Sequence, residues 1–155
     1  GLTVGTEILS FMLFAAVISR ILFGFLSDKI GPIQTLILGS SLQAISLSMF
    51  LPFSSQLSLY IVAIFFGLSQ GGIVPIYTVI ISKFLPSNEV AERVGLLIFA
   101  TILGMSAGGW LSGEIFDYTN SYKLAFLNGI FWNIINVSIM VYLYLVYKNS
   151  KRIND

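Results

Sequence analysis

The sequence predicts an all-α fold, a polytopic bundle of transmembrane helices, and three observations carry that prediction. Of 155 residues, 56% are hydrophobic and only 10% are charged, against about 25% charged in soluble domains. The apolar residues gather into five segments, each near the roughly 20 residues that an α-helix needs to cross a bilayer. Alternating polarity over strands of about 10 residues, which would mark a transmembrane β-barrel, is not found in the sequence.

The first segment covers about residues 5–26 and is interrupted by Glu7 near its start and Arg20 near its end. The second covers about 33–53, the third 57–84, the fourth 94–113 and the fifth 124–147. Turn and breaker residues separate them: Asp28 to Pro32, Pro52 to Gln56, Pro86 to Asn88, and Asp117 to Tyr122. With five spans the connections alternate sides of the membrane. One side then holds Lys29, Lys83, Arg93, Lys148, Lys151 and Arg152, while the other holds Lys123. Basic loops stay cytoplasmic, so the expected topology in the cell membrane has the N-terminus outside and the C-terminus inside. Residue 1 is Gly and no basic stretch precedes the first apolar run. No signal peptide is expected, and the chain reads as starting inside a longer one.

Composition also removes whole classes of chemistry. The chain has no Cys and no His, which leaves no thiol nucleophile, no disulfide and no imidazole for metal binding or proton transfer near neutral pH. There is no His-Glu-x-x-His pattern and no pair of membrane carboxylates. An enzyme is therefore not expected, nor a metal or other cofactor, nor a nucleic-acid partner.

Three stretches resemble a known family. Gly24-Phe25-Leu26-Ser27-Asp28-Lys29-Ile30-Gly31 is similar to the Gly-x-x-x-Asp-Arg/Lys-x-Gly loop motif of the major facilitator superfamily. Asp117-Tyr118-Thr119-Asn120-Ser121-Tyr122-Lys123-Leu124-Ala125-Phe126 resembles a signature that the monocarboxylate-transporter-like branch carries between its last two helices, with Asn120 where Gly is usual. Asn tolerates the left-handed backbone nearly as well as Gly. Gly71-Gly72-Ile73-Val74-Pro75 is similar to the tenth helix of that branch. The loop motif departs from the family where Pro32-Ile33 replace the usual basic residues. The resemblance implies that the whole chain, residues 1–155, is a partial C-terminal transmembrane domain matching the eighth to twelfth helices, with the seventh helix and the N-terminal half missing. Transporter halves are commonly built from inverted repeats, and Gly24–Ile30 has a faint echo in Gly109–Ile115.

For the site, the resemblance implies that Arg20 binds the carboxylate of an anionic substrate. A charge in a span costs about 2.5–3.5 kcal/mol on insertion scales and usually faces the protein interior. The other reading of Arg20 is snorkelling to the headgroups. An acidic residue that the family often carries one turn earlier is Ala16 here. Glu7 cannot replace it, being roughly 140° away around the helix and about 20 Å along it; it reads as an interfacial residue. Gly24, Asp28, Lys29 and Gly31 are implied to latch the two halves together at the cytoplasmic face, against the plainer reading of solvated loop charges. Gln70 and Tyr77, seven residues apart around Pro75, share a helix face and are candidates to line a substrate cavity or to bond helices together. Gly104, Gly108, Gly109 and Gly113 form small-xxx-small patterns that suggest close helix packing. Asn128, Trp132 and Asn136 suggest packing or interface roles.

The expected function is a secondary active carrier of a small organic anion such as a monocarboxylate, moved by alternating access with a proton or another coupling ion. Its expected partners are the bilayer and the missing half. The alternative is a non-transporting five-helix membrane subunit that binds or assembles a partner.

Overall fold

Six helices account for nearly all of the computed structural model, which describes residues 2–53 and 55–154. They are α1 (Leu2–Ile30), α2 (Pro32–Met49), α3 (Gln56–Gln70), α4 (Ile73–Phe84), α5 (Ser87–Thr119) and α6 (Tyr122–Asn154). Among the described residues there is no strand. Four segments are long and apolar enough to cross a membrane: Thr3–Ile30, Gln56–Phe84, Ser87–Thr119 and Tyr122–Asn149. The second of these joins α3 and α4 through a break at Gly71 and Gly72.

The solvent of this surface is lipid. Phe14, Phe25 and Trp110 are 68%, 67% and 68% exposed, and exposed apolar surface on this scale is a liability in water. Aromatic residues sit near the two ends of α6, Tyr122 at one and Tyr142, Tyr144 and Tyr147 at the other. Tyr122 and Tyr142 are about 30 Å apart by helical rise, the thickness of a hydrocarbon core. Such belts mark the two membrane interfaces.

The second expected span is the one that differs in character. α2 has 18 residues, about 27 Å of helix, and is not among the four strongly apolar segments. Its surroundings explain its polarity: α2 packs against α1, α3, α4 and α6, so its side chains meet protein. Thr35, Ser40 and Ser46 are fully buried. Thr35 Oγ1 donates to the Gly31 carbonyl at 2.8 Å, and Ser46 Oγ donates to Leu42 O at 2.8 Å and meets Ser69 Oγ at 3.1 Å. Buried hydroxyls partnered in this way carry little desolvation penalty. Below them Phe23, Leu36, Ile73 and Ile76 form the apolar core, joined by Tyr77, Ile80 and Met140.

α1 and α3 meet almost backbone to backbone. A Cβ on Gly67 would lie 2.2 Å from Met12 O, and one on Gly71 would lie 2.3 Å from Ala16 O. This is the small-xxx-small contact expected of membrane helices, but it falls on the third segment. The glycines singled out for that role, Gly104, Gly108, Gly109 and Gly113, have nothing within 4 Å of a built Cβ. α5 packs on α6 and α4, and none of its residues is buried.

Candidate functional site

The loop motif is shaped by its last residue. Gly31 has φ 93° and ψ 154°, a region essentially restricted to glycine. This conformation lets α1 run through Asp28 and Lys29 to Ile30 and then turn straight into Pro32, which opens α2. The Gly31 amide closes α1 on the Ser27 carbonyl at 2.9 Å. Asp28 therefore sits inside the last turn of α1, where the helix dipole disfavours an anion. Asp28 and Lys29 are exposed and form no ion pair among the described residues. Around Gly24 there is open space.

The second signature is a tight joint between α5 and α6. Asn120 is left-handed, with φ 50° and ψ 28°, and ends α5. Thr119 Oγ1 donates to Ile115 O at 2.6 Å and to Ser121 O at 3.1 Å. The Lys123 amide donates to Ser121 Oγ at 3.2 Å, so Ser121 caps α6. The rings of Phe116 and Tyr122 stack across the joint at 4.2 Å.

Arg20 lies on α1 between Ala16, which abuts Gly71, and Phe23, which abuts Gly72. It is exposed and has no hydrogen bond or ion pair among the described residues. Because α1 extends to Ile30, Arg20 stands about 15 Å from the helix end, half the thickness of a hydrocarbon core. Glu7 has its own partner, the hydroxyl of Tyr60 on α3, whose ring also packs edge-on against Phe11 at 5.7 Å.

Opposite Arg20, the third segment is broken. Pro75 has no N–H to offer the Gly71 carbonyl, and the backbone turns at Gly71 and Gly72 before resuming as α4. The Leu68 carbonyl, near the end of α3, accepts a 2.6 Å hydrogen bond from Ser19 Oγ on α1. A side chain from a neighbouring helix thus satisfies a backbone group freed by the break, as an apolar environment requires.

Gln70 and Tyr77, on either side of the break, both face α6. Gln70 lines a cleft of about 760 Å³ with Phe66, Gly104, Gly108, Asn128 and Trp132, between the end of α3 and the helices α5 and α6. Tyr77 packs beside the apolar core and bonds to Asn136 of α6. Neither Arg20 nor Tyr77 lines the cleft that holds Gln70.

Sequence reasoning gave Asn136 a packing role but missed Gln43, Ser40 and Asn133, with which it forms a polar seam between α2 and α6. Asn133 Nδ2 donates to Gln43 Oε1 at 2.9 Å, and Asn136 Nδ2 donates to Ser40 Oγ at 3.3 Å. Asn133 is 8% exposed, and its Oδ1 has no protein partner. The available signal was period: Ala125, Gly129, Asn133 and Asn136 share one face of α6.

Comparison with known proteins agrees with these motifs. The profile of the family described as Major Facilitator Superfamily matches residues 1–155. Monocarboxylate transporter 13 of Rattus norvegicus is 27% identical over 124 residues, which are 76% of this chain and 29% of that protein. The match thus spans under a third of its relative's length. No solved structure matches.

Proposed function

This chain belongs to the major facilitator superfamily, and on that premise we propose that it forms part of a secondary active carrier for a small organic anion such as a monocarboxylate. In this reading the bundle supplies helices equivalent to the eighth to twelfth of a carrier. Substrate binds near the midplane, between this bundle and the opposing half, and reaches either side by alternating access. A proton or another ion drives the cycle, and the basic end of the bundle faces the cytoplasm of the cell.

The observation that carries the proposal is Arg20. It is a charge inside a span, eight residues before Asp28, with no ion pair among the described residues and on a face the bundle itself leaves open. A bare cation facing hydrocarbon is costly, and intramembrane charges face interiors or water-filled cavities. The face of α1 that bears Arg20 is therefore covered in the complete carrier, and a carboxylate substrate supplies its counter-charge. The neighbouring break at Gly71–Gly72 fits the same reading, because interrupted helices line binding sites in many carriers. The similarity to a rat monocarboxylate transporter adds weight to a monocarboxylate. On this reading Gly24, Asp28, Lys29 and Gly31 form the latch toward the opposing half, and Gln70 and Tyr77 flank the path behind Arg20.

The test is uptake of labelled small monocarboxylates by cells expressing the complete native polypeptide. Uptake is expected, and Arg20→Ala should lower it by at least about 100-fold at unchanged surface expression, as expected when a buried charge partner is lost. Unimpaired uptake by that variant removes Arg20 from the site. Absence of uptake for every monocarboxylate, with another anion transported, overturns the substrate class.

A further inference from the structure

A second cleft, of about 740 Å³, lies at the basic end of the bundle, far from Arg20. The start of α2 and the ends of α4 and α6 form its walls. Lys83 and Lys148 line it, with Gln34, Tyr144 and Tyr147. Neither lysine has an acidic partner among the described residues. Among the described residues, the acidic ones at this end are Asp28, Glu89 and Glu92; none lines the cleft, and Glu89 is engaged by Arg93 at 3.5 Å.

The start of α2 adds a further positive element. Gly31 provides no side-chain cap, and Pro32 follows it at the first helical position. The Gly31 amide is committed to Ser27 O, and the Thr35 amide to Gly31 O. This leaves the amides of Ile33 and Gln34 without an acceptor among the described residues, at the positive end of the helix dipole. Two lysines, two tyrosines, a glutamine and the uncapped start of α2 therefore border one cavity. They are all donors, or can act as donors, which is the complement of a phosphate.

We infer that this cleft binds the phosphate headgroup of an anionic membrane lipid. A lipid fits better than a soluble phosphate because of where the cleft sits. Tyr144 and Tyr147 belong to the aromatic belt at the membrane interface, and Tyr147 packs edge-on against Phe84 at 5.3 Å. Apolar Ile30 and Phe84 share the cleft wall with the lysines, so the headgroup is held at the polar end while the acyl chains follow the greasy flank. Basic pockets between helices at the membrane surface take headgroups in this way. The inference does not depend on what the carrier transports.

The test uses the complete native polypeptide, purified and reconstituted in nanodiscs of phosphatidylcholine with or without phosphatidylglycerol, and native mass spectrometry to count retained lipid. Retention of phosphatidylglycerol over phosphatidylcholine is expected. The double variant K83Q/K148Q should lower it by roughly tenfold or more, K83R/K148R should keep it, and K123Q, at the other end of the bundle, should leave it unchanged. Equal retention by K83Q/K148Q and the parent overturns the site. Loss of retention in K123Q to the same extent means general surface charge and also overturns it. Displacement of the lipid by inorganic phosphate, with no preference between the two nanodisc compositions, identifies a soluble anion site and overturns the lipid.

Discussion

Gly31 and Gly24 belong to the same eight-residue motif, yet their physical demands are opposite. Gly31 holds a backbone region that costs any other residue about 1–3 kcal/mol, whereas Gly24 lies inside α1 with open space around it. Gly31→Ala should therefore destabilise the protein by about 1–3 kcal/mol. Gly24→Ala should be neutral or stabilise by about 0.5–1 kcal/mol, as a helix-interior glycine does when replaced. Thermal unfolding of the two variants in detergent reads the difference, and equal behaviour contradicts the backbone assignment. At this scale the sequence was legible wherever a residue type announces its own constraint. Asn120 in place of Gly implied a left-handed turn, and the structure has one. Arg20 stood out because charge is rare in a span. Gln43 and Asn133 did not stand out, because an amide on a membrane helix looks the same whether it meets a partner or a headgroup. Their pairing is a contact across 90 residues of sequence, and no local pattern encodes it.

Two glycine patterns on two helices show the same limit for elements. Gly67 and Gly71 seat α3 on α1 through Met12 and Ala16, while a Cβ on any glycine of the longer α5 series would meet nothing within 4 Å. Spacing identifies a face able to pack closely but does not say which helix, if any, will come. Gly67→Val should prevent the α1–α3 approach and destabilise the bundle by about 1–3 kcal/mol or more through overpacking. Gly108→Val should leave the stability of this bundle nearly unchanged. Chemical denaturation monitored by circular dichroism distinguishes them, and a similar loss in both would mean that the α1–α3 contact is not special. The break in the third segment was foreshadowed by Gly71, Gly72 and Pro75. Gln70 and Tyr77, read from their spacing as sharing a face, both lie toward α6, Gln70 near Asn128 and Trp132 and Tyr77 beside Asn136.

At the scale of the molecule, the helices are arranged so that α2 is enclosed and α5 is peripheral. Hydrophobicity alone ranks them in the opposite sense to a soluble protein: the buried helix is the polar one. This inversion was hidden from the sequence, which marks α2 only as a shorter and less apolar segment. It has a consequence for how the protein reaches its membrane. Insertion of a segment on its own depends on the sum of its residues' transfer free energies, and α2 with its Ser, Thr and Gln residues sums poorly. Its favourable environment exists only once α1 and α3 are beside it. A reporter carrying residues 32–49 alone should insert inefficiently, while the same residues placed between α1 and α3 should insert well, as read by glycosylation mapping at the flanking loops. Efficient insertion of the isolated segment would contradict this. The expected outcome would mean that the bundle assembles in part before it is fully inserted, with the polar helix α2 entering the membrane as a passenger of the helices on either side of it.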